Sequence, residues 1–113
     1  MNPGDVVLVR LPQFGGGPTK LRPALVLALL PGPFQNVLIC GISTQLQVLE
    51  PDWDELVDPA DNDFPASGLH RVSAIRPSYL YAADRQEVSG TIGRIDGARL
   101  KRLRHRLAGL LAK

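Results

Sequence analysis

The chain has 113 residues, 44% of them hydrophobic and 5% aromatic, which fits one domain over residues 1–113 with a core of Val, Leu, Ile and Ala and excludes a disordered chain. The longest apolar run, Ala24 to Leu30, is far short of the roughly 18 residues of a membrane span, and a lone cysteine, Cys40, excludes an internal disulfide and fits a reducing cytoplasm. Net charge is only +2, yet seven of the eleven acids lie between Glu50 and Asp63, and five of the thirteen cations lie between Arg99 and Arg106.

Residues 4 to 11, GDVVLVRL, follow a Pro-Gly pair, are rich in β-branched residues and predict a first strand. Pro12, the glycines at 15 to 17 and Pro18 predict a loop through residue 21. RPALVLALL, residues 22–30, reads as a buried second strand closed by the Pro-Gly-Pro breaker that follows, and NVLICGIS, residues 36–43, as a third of similar character. No crossover helix fits between these strands, so they are expected as antiparallel neighbours. Residues 46 to 67 hold three prolines, most of the acids and the only tryptophan. They predict a short strand at 47–49, then a long surface excursion with one helical turn.

LHRVSAIRPSYLY, residues 69–81, returns to strand character, with Pro77 demanding an edge or a bulge. DRQEVSGTIGRI, residues 84–95, reads as a short helix or turn region punctuated by Gly90 and Gly93. Leu100, Leu103, Leu107 and Leu110 then recur at spacings of three, four and three, one face of a helix with Asp96 as its N-cap. Arg99, Lys101, Arg102, Arg104 and Arg106 take its remaining faces. They read either as one of two solvated charged faces or as a basic surface for a polyanion, with the acidic segment kept away from it. Strands first and a helix last point to a small curved antiparallel sheet or partly open barrel.

Several chemistries drop out. GGGPTK lacks the Gly-Lys-Ser/Thr order of a P-loop and precedes a strand rather than a helix. His70, His105 and Cys40 show no pairing of metal ligands, and there is no Gly-x-Ser-x-Gly elbow, so no metal and no cofactor are expected. His105 lies among the cations of the helix and reads as a surface residue, whereas His70 follows a loop and reads either as an ordinary loop residue or as one that lines a cleft. Arg22 is left. Pro23 forces it into an extended conformation, so it is held at the rim of the sheet beside a loop, where a planar five-donor group is either an ordinary surface arginine or aimed at a phosphate. ISTQ, residues 42–45, ends the neighbouring strand with two hydroxyls and an amide, which either make turn hydrogen bonds or cradle a phosphate.

PGDVVLVRLP, KLRPALVLA, ISTQ and SGLHRVSAIRPSYLYAADRQEVSGTIGRI, in that order and spacing, resemble the MazF/PemK ribonuclease toxins of bacterial toxin–antitoxin pairs over roughly residues 3 to 96. The resemblance implies a small, SH3-like curved antiparallel barrel, shared with the gyrase poison CcdB, with a C-terminal helix. It implies a homodimer in the cytoplasm, away from membranes, that cleaves single-stranded RNA at short sequences without a metal and is restrained by a cognate antitoxin. The family's catalytic arginine falls on Arg22 and its threonine on Ser43, with Thr44 where many members have serine. RNA contacts are expected at Phe14, Lys20, Gln45, His70 and Arg76; of the available stacking platforms, Phe14, Trp53, Tyr79 and Tyr81, Phe14 is the first choice and Tyr81 is expected in the core. The recognition loops match residues 12–20 and 46–67. The alternative is a non-catalytic SH3-like module that binds a protein, as the gyrase poison does.

Overall fold

Both faces of the strands are apolar, and the fold follows from covering each. A computed structural model describes residues 1–11 and 20–113. Strands β1 (Asp5–Leu11), β2 (Lys20–Leu29), β3 (Val37–Ser43), β4 (Glu55–Val57), β5 (Ser73–Ala83) and β6 (Val88–Arg94) form one antiparallel sheet in the order β4-β5-β3-β2-β1-β6. A one-turn helix, α1 (Phe64–Ser67), precedes β5, and helix α2 (Gly97–Leu111) ends the chain. On one face Val6, Leu25, Leu27, Cys40, Ile42 and Ile75 pack against Leu103 and Leu107 of α2. On the other, Val7, Val9, Ala24, Val26, Ile39 and Ala83 form a second buried cluster, joined by Tyr81 and Val88. Strands buried on both sides read as continuous apolar runs, which is why LVLAL shows no alternation.

Register shifts bend the sheet. β1–β6 carries two, β2–β3 one between Val26 and Ala28, and β3–β5 one between Cys40 and Gly41. At the last, one step along β3 spans the step from Leu80 to Arg76 on β5, so residues 77–79 leave the ladder. That is the bulge Pro77 demands, since it has no N–H to give. The edge strands β4 and β6 do not pair with each other. Instead α1 lies against β6: a Cβ on Gly93 would meet the Ala66 carbonyl at 2.3 Å, and one on Gly68, at φ +75°, the Ile92 carbonyl at 2.1 Å. Only glycine permits either approach.

The expected class, mainly β with an antiparallel sheet and a C-terminal helix, is the observed one. Three expectations change. No strand forms at 47–49; the strand of that excursion is β4, paired to Ile75, Ala74 and Ser73 of β5. The segment read as a helix or turn holds a single 3-10 turn, Arg85–Glu87, and then β6, an edge strand too exposed to show an apolar signature. And the acids and cations meet rather than separate. Arg99 is buried and bonds Asp63 at 2.8 Å, Glu55 at 3.0 Å and Asp61 at 3.1 Å, while Arg102 and Arg106 reach Glu55 at 3.0 and 2.9 Å.

This network sets the charge states of its members. The Arg99 hydrogen bond holds the Asp63 carboxyl below its ordinary range against the opposing effect of burial. Burial pushes Glu55 up, but the guanidiniums of Arg102, Arg106 and Arg99 outweigh it and the net shift is down. Bonding to Asp63 and to Glu55 raises Arg99 and Arg102 respectively. Asp96 does cap α2 by its backbone conformation, but its side chain makes no cap bond; its N–H donates to Asp63 at 3.1 Å. Leu103 and Leu107 are buried and Leu100 half-buried, whereas Leu110 is exposed because the last turn extends past the core cluster.

Candidate functional site

Arg22 occupies an exposed position on β2, opposite Val9 of β1. On the other side of β2, Ala24 pairs with Gly41 and Leu25 with Cys40; the same register carried two residues further sets Arg22 level with Ser43, the last residue of β3. Ala24, Val26 and Ile39 belong to the cluster opposite α2. By strand alternation Arg22, Gly41, Ser43, Ala74 and Arg76 therefore share that face, with adjacent strands roughly 5 Å apart. Lys20 lies on the same face, two residues beyond Arg22, and is exposed. Neither Arg22 nor Lys20 forms a salt bridge among the described residues, whereas Arg76, Arg99, Arg102 and Arg106 all do.

Ser43 is half-buried, and its Oγ accepts a hydrogen bond from the Gln45 N–H at 3.0 Å. That bond uses a lone pair and leaves the hydroxyl proton to donate elsewhere. Thr44 and Gln45 are exposed just past the strand. Arg76 is buried, 8% exposed. Its Nη1 donates to the Val48 carbonyl at 2.6 Å and to Asp54 Oδ2 at 3.0 Å, and its Nη2 donates to the Gln45 carbonyl. Its guanidinium is thus spent on the segment after Ser43. Asp54 Oδ2 also accepts from the Glu50 N–H at 2.9 Å, and Trp53 Nε1 donates to Ser78 Oγ at 2.6 Å, tying the same segment to the β5 bulge.

Between that segment and the bulge lies an open cavity of about 340 Å³, with Arg76 and Asp54 among its lining residues and Tyr79 at its wall. Arg76 stands 5.8 Å from the Tyr79 ring centroid, a cation–π distance, and a Cβ on Gly41 would touch Tyr79 at 3.3 Å, so the ring lies over Gly41. His70 is exposed in the connection between α1 and β5 and makes no side-chain hydrogen bond among the described residues. Phe14 lies outside the described residues. The sequence reading offers Trp53 and Tyr79 only as separate aromatic platforms and does not join them with Asp54; Pro77 was the available signal, because the bulge there takes residues 77–79 out of the ladder.

A rigid, always-charged fork beside a hydroxyl donor can hold a tetrahedral anion from two directions. A thiol nucleophile is not available here: burial, with a smaller contribution from Asp54, pushes Cys40 up to about 12. Among the described residues no three metal-ligating side chains converge, and no helix is long and apolar enough to cross a membrane.

A family model described as PemK-like, MazF-like toxin of type II toxin–antitoxin system matches residues 2–111. Among solved structures, the Mycobacterium tuberculosis toxin MazF-mt6 superposes with a TM-score of 0.69 at 18% identity, covering 96% of both chains. A mycobacterial endoribonuclease, solved in complex with its cognate antitoxin, superposes with a TM-score of 0.64 at 14% identity, covering 99% of this chain and 95% of that one. At these identities the two superpositions establish the fold. Among curated proteins nothing matches.

Proposed function

The chain belongs to the PemK-like, MazF-like toxins of type II toxin–antitoxin systems, and from that premise we propose that it is a cytoplasmic, sequence-specific endoribonuclease acting on single-stranded RNA without a metal. The observation that supports this reading is that Arg22, exposed near the start of β2, and Ser43, half-buried at the end of β3, share one sheet face and stand level when the β2–β3 register is extended by two residues. The substrate's own 2′-hydroxyl is the nucleophile. Its oxygen bonds to the adjacent phosphorus, the bond from phosphorus to the 5′-oxygen breaks, the 2′-hydroxyl proton passes to a base and the 5′-oxygen gains a proton. The products are a 2′,3′-cyclic phosphate and a 5′-hydroxyl end. Charge gathers on the non-bridging oxygens, and there Arg22 and the Ser43 and Thr44 hydroxyls supply donors.

Lys20 adds a second exposed cation on the Arg22 face, Gln45 offers an exposed amide beside the hydroxyls, and the exposed His70 is a further contact for the RNA. Arg76 serves RNA indirectly, by holding the segment that carries Gln45. One domain over residues 1–113, of which the family model covers 2–111, works as a homodimer and is silenced by a cognate antitoxin, as the mycobacterial complex illustrates for its own toxin. The test is incubation with single-stranded RNA in excess chelator, with the ends of any fragments identified. Cyclic-phosphate and 5′-hydroxyl ends are expected. Intact RNA beside stalled gyrase would establish the protein-binding alternative.

A further inference from the structure

Building on the endoribonuclease reading, we infer that the cavity between the segment after Ser43 and the β5 bulge is a nucleobase pocket, taking the base next to the scissile phosphate and favouring one that carries an exocyclic amino group. Three observations lead there. The first is position. Tyr79 lies over Gly41, two residues from Ser43 on the same face, so the pocket opens about 7 Å from the hydroxyl, within one nucleotide's reach. Its volume of about 340 Å³ lies within the range of small-ligand sites.

The second is preorganisation. Arg76 crosses under the cavity and grips the Gln45 and Val48 carbonyls and Asp54, while Trp53 is bonded to Ser78. The walls are thereby set before any ligand arrives. Tyr79 itself is left 56% exposed, an aromatic side chain open to solvent. Unstacked RNA bases use such faces as platforms.

The third is the set of uncommitted groups. Among the described residues, the side chains of Gln45, Gln47 and Glu50 line the cavity without an internal hydrogen bond, and the Glu50 carboxylate has no cation partner. A carboxylate facing a polyanion raises the cost of binding unless a donor meets it. The exocyclic amines of cytosine, adenine and guanine are such donors. Uracil offers only a ring N–H flanked by two carbonyl oxygens, which a carboxylate repels. Glu50 is thus a discriminator against uracil, and the glutamine amides read the rest of the edge.

The experiment uses the full chain and a panel of single-stranded RNAs varied one position at a time around the cleaved bond, including an abasic nucleotide at each. Tyr79→Ala should raise KM about 10- to 100-fold, leaving kcat and melting unchanged, and Tyr79→Phe should recover most of the loss. The abasic nucleotide should cost the parent enzyme at least a similar factor at one position only, and cost Tyr79→Ala clearly less there, since only the contacts of Glu50 and the glutamines are left to lose. Glu50→Gln should flatten the preference for amino-bearing bases over uracil at that same position. Cleavage by the parent enzyme with unchanged profiles in both variants, or a loss spread evenly over all positions, overturns the pocket and leaves the nuclease standing. A parent chain that cleaves no RNA overturns the nuclease, and the pocket with it.

Discussion

Arg22→Ala removes what is, among the described residues, the one charged donor that shares both face and level with the Ser43 hydroxyl. Since Arg22 is exposed and its strand is held by Ala24, Leu25 and Val26 beneath it, the substitution should leave melting unchanged. Loss of one preorganised donor costs about 100- to 1,000-fold in rate, so cleavage should fall by that factor at saturating RNA. Activity near the parent's would remove Arg22 from the chemistry. Ser43→Ala should slow cleavage more than Thr44→Ala, because Ser43 is the hydroxyl within the strand and level with Arg22. Paired rate measurements showing the reverse order would shift the register by one. Arg22 was legible in the sequence because Pro23 fixes its backbone, an effect one residue long. Arg76 was not. It too precedes a proline, yet it is buried and turned inward by partners 22 to 31 residues away, and no local pattern announces those.

The elements that were legible, β1, β2, β3, β5 and α2, each carry their own apolar signature. β4 and β6 do not, because an edge strand of three residues and a mostly exposed one exist only by pairing with strands distant in sequence. The charges of α2 follow the same logic: helix periodicity located Arg99, but only the fold brings Glu55, Asp61 and Asp63 to it. That network makes stability depend on acid. Asp63 and Glu55 both have folded-state pKa values below their ordinary ones. Their contribution is therefore complete above the unfolded pKa, about 4, and is lost as pH falls through the folded values. Thermal melting of the parent should drop steeply below about pH 4. Arg99→Met leaves the buried Asp63 carboxylate without its guanidinium partner, while Glu55 keeps Arg102 and Arg106, and should cost about 3–5 kcal/mol at pH 7. The gap between variant and parent should narrow as pH falls through the lowered folded-state values and the carboxylates take up protons. A gap that stays constant with pH would show that Arg99 acts by packing alone.

For the whole molecule the open question is what the remaining apolar surface does. The sheet and α2 cover two clusters, yet Leu29 is 54%, Phe34 77%, Leu110 47% and Leu111 75% exposed. Single exposed residues are ordinary; large ones at the β2–β3 turn and at the end of α2 are what association would cover. A standard interface takes about 800 Å² from each partner, a small part of the 6968 Å² surface. At roughly 25 cal/mol per Å² of apolar area the gross gain is large enough to offset the lost freedom of two bodies. A self-complementary pair of this kind is two-fold symmetric and sets two active faces in one particle. Sedimentation at micromolar concentration should therefore give twice the 12.3 kDa of one chain. Phe34→Asp and Leu111→Asp, each on an exposed side chain, should shift the species toward the monomer if their residues are covered, with little change in the monomer's circular dichroism. Dissociation should respond weakly to added salt, because an apolar contact carries few charge pairs for salt to screen. A 12.3 kDa species for the parent under the same conditions would show that a single chain is the working unit.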